Sequence, residues 1–156
     1  MNGSSADPDA IAFGTDGWRA TLDEFTTPRV RTVAQGVAGY LREEGADAPV
    51  AVGYDARETS RGFAEAVADV LAANGIEVWL AARDCPTPAT AWQVREFDLA
   101  GGVVITASHN PPDYNGIKFV PAGGVPALPE TTDRIEANLA EPVTPGDVDD
   151  GAREGS

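Results

Sequence analysis

Short apolar runs alternate along this chain with segments whose apolar residues recur at helical spacing, and that rhythm admits few folds. After Pro28, the positions Val30, Val33, Ala34, Val37 and Leu41 trace one face of a helix, and Gly45 offers its stop. Val50-Ala51-Val52-Gly53-Tyr54 follows as a strand. Phe63, Val67, Val70 and Leu71 form a second helical stripe, opened by Thr59-Ser60 and closed by Asn74-Gly75. Ile76–Leu80 is rich in β-formers and predicts the next strand. Thr87 and Pro88 suit the cap and first position of a third helix running to about Phe97. Gly102–Ile105 then gives a continuous apolar strand of the kind buried on both faces. This order predicts a three-layer α/β/α domain whose sheet is mostly parallel with helices on both sides.

Three segments sit outside the alternation. Ile117-Lys118-Phe119-Val120 reads as a strand returning beside Val103–Ile105, which makes the sheet mixed. Ile11-Ala12-Phe13, ahead of the turn-like Thr15-Asp16-Gly17, predicts a strand before the first helix. A short helix is expected from Thr132 to Leu139, with Ile135 and Leu139 on one face.

A length of 156 residues fits one domain, able to bury roughly 70% of its unfolded surface. The expected body is residues 11–140. Residues 1–10 read as a flexible segment without the basic and apolar regions of a secretion signal. Residues 141–156, rich in Pro, Gly and Asp, read as an acidic, linker-like tail. Acidic residues number 25 against 11 basic ones, for a net charge of −14. Such a surface repels nucleic-acid phosphates, so DNA and RNA are excluded as partners. The same excess suits a halophilic protein, in which salt screens self-repulsion; an ordinary acidic protein is the alternative. No run approaches the ~20 apolar residues of a membrane span. With Cys85 as the only cysteine, neither an internal disulfide nor a multi-cysteine zinc site can form. The expectation is a soluble, cytoplasmic protein without membrane partners.

The chemistry concentrates in Thr106-Ala107-Ser108-His109-Asn110-Pro111-Pro112 and the following Asp113-Tyr114-Asn115-Gly116-Ile117-Lys118. Ten of the eleven cationic side chains are arginine, and the single lysine stands here. Lysine can be tuned to lose its proton, whereas arginine stays charged. Ser108 falls just past the end of the apolar Val103–Ile105 strand, where open α/β sheets place their sites. The only histidine, His109, is adjacent to it. Neighbouring side chains on an extended segment point apart, and there is no Gly-x-Ser-x-Gly elbow, so a serine hydrolase is the weaker enzyme reading. A serine near Lys118 and Arg19 suits phosphoryl transfer, which needs charge neutralisation and positioning more than a strong base. A magnesium ion could bridge the phosphate oxygens.

Three blocks in order carry a family resemblance. Phe13-Gly14-Thr15-Asp16-Gly17-Trp18-Arg19 is similar to the amino-terminal signature of the α-D-phosphohexomutases. Gly53-Tyr54-Asp55-Ala56-Arg57 resembles their Gly-x-Asp-x-Arg block. Thr106–Pro111 with Asn115-Gly116-Ile117-Lys118 resembles their phosphoserine loop. The match runs from about Ile11 to Leu139 and corresponds to the first domain of that family of phosphoglucomutases, phosphomannomutases and phosphoglucosamine mutases.

The resemblance implies that Ser108 is the phosphoserine that exchanges its phosphoryl group with hexose phosphate and hexose bisphosphate, interconverting 1- and 6-phosphates. It implies Lys118 as general base or acid, with Arg19 close by. His109 would orient phosphate or sugar hydroxyls, and the Ser108 phosphate would be one ligand of Mg2+. The family's Asp-x-Asp-x-Asp metal loop and Gly-Glu-x-Ser-Gly sugar loop are not found in this sequence. The other metal ligands and mutase domains are therefore expected in cis or trans. A non-catalytic module that binds sugar phosphate or a partner chain is the alternative function.

Individual residues also have plain structural readings. Ser108 and His109 could tie loop backbone, Lys118 could be a solvated edge lysine, and Arg19 could pair with Asp16 or Asp23. Asp55 and Arg57 are expected to brace loops through an ion pair. Asp113 is expected to serve a backbone hydrogen bond of its turn. Trp18, Trp79 and Trp92 are expected in the core or at an interface.

Overall fold

The computed structural model describes residues 11, 17–85, 87–107, 110–140 and 142. They form β1 (Trp18–Thr21), α1 (Thr27–Glu43), β2 (Val50–Tyr54), α2 (Ser60–Ala73), β3 (Val78–Leu80), α3 (Thr87–Glu96), β4 (Gly101–Ile105), β5 (Tyr114–Pro121) and α4 (Pro129–Ala137). The five strands make one sheet in the order β1-β5-β4-β2-β3. β2 is parallel to both of its neighbours, β3 and β4. β5 returns antiparallel beside β4, and β1 closes the other edge antiparallel to β5. The sheet is thus mixed, with its parallel part where helices intervene between strands.

Every residue of β2 and of β4 is buried, because both faces of these strands are covered. Alternate residues divide between two cores. Val50, Val52, Val103, Ile105, Ile117 and Phe119 join the main core with Val33 and Val37 of α1 and Val67 and Leu71 of α2. Ala51, Val104 and Val120 face the other way, onto Val94 of α3 and Leu99. α4 lies outside α1, where Gly36 and Gly39 admit Ile135, Leu139 and Asn138 at close range. Arg134 of α4 pairs with Glu43 and Glu44 and sits 4.7 Å over the Tyr40 ring.

The expected strand at Ile117–Val120 is the middle of the longer β5. Ile76–Leu80 contracts to Val78–Leu80. The helix expected at Thr132–Leu139 starts earlier, with Pro129 in its first turn, and ends at Ala137. Proline favours that first-turn position because its missing N–H has no partner to lose there. Residues 12–13 of the expected strand Ile11–Phe13 lie outside the described residues; Ile11 is buried but not in a strand. The amino-terminal strand that is described, β1, begins at Trp18. Residues 1–10, and the tail from 141 apart from Pro142, also lie outside the described residues. No helix among the described residues is long and apolar enough to cross a membrane.

Trp18 is buried against Phe25, with ring centroids 4.8 Å apart. Trp79 and Trp92 are not in the core: they are 39% and 48% exposed and meet Phe97 edge-on at the surface, which leaves the interface half of the expectation. Trp79 lies opposite Ala51 on the α3 side of the sheet, but on the edge strand β3, beyond β2 and β4 on which α3 packs.

Candidate active site

β4 ends at Ile105, and the chain leaves the sheet at Thr106 and Ala107 on the side where β2 also ends. Ser108 and His109, the two loop residues singled out from sequence, lie outside the described residues. The segments that flank them are tied down. The Thr106 N–H donates to the Gly116 carbonyl at 2.9 Å, and the Asn110 N–H donates to the Ala107 carbonyl at 3.0 Å. The Tyr114 N–H donates to the Pro111 carbonyl at 3.0 Å, closing the Pro-Pro-Asp-Tyr turn. Asp113 takes part through its backbone, its carbonyl accepting from the Leu22 N–H at 2.8 Å.

Lys118 and Arg19 are brought to one face of the sheet by register. Arg19 lies opposite Gly116 across the β1–β5 pair, and Lys118 is two residues further along β5. Residues two apart on a strand share a face, so the two cations are diagonal cross-strand neighbours. Val120, on the same face, packs in the α3 core, which identifies the face as the α3 side. There α3 covers β2 and β4 and reaches only the near side of β5. Lys118 is half-buried in a cleft shared with Thr87, Ala91 and Val125, and Arg19 is exposed. Arg19 Nη1 reaches toward Asn110 Oδ1 at 3.5 Å, a long contact that directs the guanidinium at the loop.

Two glycines make this arrangement possible. A side chain at Gly116 would put its Cβ 2.7 Å from the Thr106 carbonyl oxygen and 2.8 Å from Arg19 Cγ. Gly17 has φ +86°, and a Cβ there would run into the β5 backbone at Ile117 and Lys118.

In the turn after β2, Arg57 and Asp55 form the ion pair expected from sequence, at 3.3 Å. Sequence reasoning missed what surrounds it. Arg57 Nη1 donates to the carbonyls of Pro111 at 2.7 Å and Tyr114 at 3.2 Å, and Nη2 donates to that of Asn110 at 2.6 Å. Asp55 Oδ1 accepts from the Ser60 hydroxyl at 2.5 Å and from the Arg57 N–H at 3.1 Å. The fully buried Asn115 amide donates to Ser60 Oγ at 3.0 Å and Thr59 Oγ1 at 2.9 Å, and its Oδ1 accepts from the Gly116 N–H at 2.8 Å. Thr59 and Ser60 do open α2, yet Thr59 makes no side-chain cap bond. Both hydroxyls accept from Asn115 instead, which joins the β2–α2 turn to the start of β5.

Among the described residues, no group of three or more His, Cys, Asp or Glu side chains is placed to hold a metal ion.

Comparison with known proteins agrees with this architecture. A family model described as phosphoglucomutase/phosphomannomutase, alpha/beta/alpha domain I, matches residues 10–144. A phosphoglucosamine mutase of Picosynechococcus sp. is 42% identical over 134 residues, covering 85% of this chain and 28% of the relative. A phosphoglucomutase of Staphylococcus saprophyticus is 37% identical over 148 residues, covering 90% of this chain and 26% of the relative. The crystal structure of a Thermus thermophilus protein assigned as a phosphomannomutase superposes with a TM-score of 0.83 at 38% identity, over 97% of this chain and 32% of that one. The chain therefore spans under a third of the length of each of these relatives.

Proposed function

Because the chain belongs to the alpha/beta/alpha domain I family of phosphoglucomutases and phosphomannomutases, we propose that it is the phosphoserine-bearing domain of a phosphohexomutase. The substrates are hexose 1- and 6-phosphates, with hexose bisphosphate as the intermediate. Ser108 carries the phosphoryl group, and the remaining mutase domains, in cis or trans, complete the substrate cleft. The observation that carries this reading is the placement of Lys118 and Arg19 as diagonal neighbours on one sheet face, with side-chain-free Gly116 opposite Arg19, beside the loop that follows β4.

In the forward half-reaction a sugar hydroxyl attacks the Ser108 phosphate. The new O–P bond forms as the bond to Ser108 Oγ breaks; Lys118 takes the sugar hydroxyl proton, and the departing Ser108 oxygen takes one up from solvent to become a hydroxyl. After the bisphosphate is turned over in the cleft, the Ser108 hydroxyl attacks its other phosphoryl group and loses its proton to solvent, while Lys118 gives a proton to the sugar oxygen that is released. Arg19 contributes fixed positive charge toward the phosphate. His109 orients phosphate or sugar hydroxyls.

Magnesium, when bound, would neutralise charge on the phosphate oxygens. The phosphorylated Ser108 is the one ligand assigned to this chain, and the others would come from the remaining mutase domains.

Two measurements test the proposal in an assembly with the other mutase domains. Peptide mass spectrometry after incubation with hexose bisphosphate is expected to find phosphate on Ser108; phosphate only elsewhere, or none, refutes it. Lys118→Arg keeps the charge and removes the usable base. Turnover is expected to fall about 10²–10⁴-fold with little change in sugar-phosphate affinity, the usual worth of general acid–base assistance. Near-normal turnover would make Lys118 an electrostatic anchor only.

A further inference from the structure

Arg57 is a cation at the rim of a proposed phosphate site, yet all three of its guanidinium nitrogens are engaged within the protein. Nε faces Asp55, Nη1 serves Pro111 and Tyr114, and Nη2 serves Asn110. Its side chain is 15% exposed. The three carbonyls it gathers among the described residues lie in the segment that leads from the loop after β4 into β5. The guanidinium is itself aimed by Asp55, whose carboxylate is held by the Ser60 hydroxyl and the Arg57 N–H. Asn115 extends the same network to Ser60 and to the backbone of Gly116, next to the Arg19–Lys118 face.

We propose that Arg57 is a positioning residue for phosphoryl transfer: it touches neither sugar nor phosphate, and it fixes the Asn110–Tyr114 backbone so that the loop after β4 keeps its place relative to Lys118. This rests on the phosphoserine reading above. The geometry requires arginine. A planar fork donates simultaneously to acceptors several ångströms apart, whereas a lysine ammonium concentrates its donors on one atom. Reacting groups displaced by about 1 Å can lose on the order of 10² in rate. Arg57→Lys is therefore expected to act on turnover more than on binding.

The experiment compares Arg57→Lys, Asp55→Asn and Ser108→Ala in the polypeptide or assembly that carries this chain with the other mutase domains. For Arg57→Lys, kcat is expected to fall roughly 10- to 100-fold with KM for hexose phosphate within about threefold. Hydrogen exchange at the Asn110 and Tyr114 amides is expected to accelerate at least about tenfold, while the Gly101–Ile105 amides keep their protection. Asp55→Asn keeps an acceptor oxygen for the guanidinium and leaves Arg57 itself intact, so it is expected to cost less than Arg57→Lys in both readouts. Normal turnover in Arg57→Lys, loss of protection throughout β4, or an equal loss from Asp55→Asn would each overturn the proposal. Ser108→Ala separates the two ideas: if it stays active, the phosphoserine reading fails; if it is inactive while Arg57→Lys is not, only the positioning role fails.

Discussion

Replacing Asn115 by alanine tests whether the polar network behind the site holds the fold together. The side chain is fully buried and makes three hydrogen bonds, to Thr59, Ser60 and the Gly116 N–H. At about 1 kcal/mol net for each, their loss costs roughly 3 kcal/mol. Removing one partner is worse than removing both. The Gly116 N–H is left facing a small cavity in a buried strand, whereas Ser60 keeps its bond to Asp55. A total of about 3–4 kcal/mol follows, a large share of the 5–15 kcal/mol typical of a domain. Urea unfolding of wild type and Asn115→Ala, fitted with a common slope, measures the difference directly. Thermal unfolding should fall by about 10 °C, at roughly 3 °C per kcal/mol for a chain of this size. A loss below about 1 kcal/mol would mean that water replaces the amide, and that the network does not couple α2 to β5.

Three further outcomes are expected. Gly17→Ala should destabilise by roughly 2–4 kcal/mol in urea titrations, because it adds left-handed strain at φ +86° to a clash with the β5 backbone; a neutral effect would show that β1 shifts freely. Hydrogen bonds from Arg134, and next from Asn138, hold the Glu43 carboxyl below its usual range. The stabilisation by Glu43 should therefore be complete above the unfolded carboxylate value and lost as pH falls through the depressed folded one, so that wild type and Glu43→Gln converge in stability in acid. With a net charge of −14, the urea midpoint should rise between about 0.1 M and 1 M potassium chloride as the Debye length shrinks from about 10 Å to 3 Å; an unchanged midpoint would count against halophilic adaptation.

The parallel half of the fold is legible in the sequence because its signals are dense and local. Val50–Tyr54 is a run of five that emerges as a strand with the same bounds, and the apolar stripe from Phe63 to Leu71 lies inside α2. β1 is not legible. It has four residues, only Trp18 among them is buried, and its pairing partner is supplied by β5 near the far end of the sequence. The Lys118–Arg19 neighbourhood was suggested by motif resemblance, and register supplies the shared face that the motif cannot express. The Asp55–Arg57 pair was expected from the nearness of opposite charges. Its three carbonyl partners were not, since a backbone oxygen leaves no trace in composition. Asn115 was similarly hidden: nothing in Tyr-Asn-Gly-Ile announces that the amide will be sealed beneath the turn that opens α2.

The β1–β5 pair also dictates when the site comes into being. Arg19 reaches Asn110 across 91 positions of sequence, whereas β2, β3 and β4 are linked by single helical crossovers. Contacts between distant parts of a chain carry the entropy of closing the loop between them and tend to set the pace of folding. The parallel strands can assemble on local connections, but the two cations cannot share a face until β5 has been made and β1 has docked along it. On a ribosome the first of these residues would wait, unpaired, for nearly the whole described chain to emerge. The proposed site in this domain is thus assembled late in folding, when its edge strand closes.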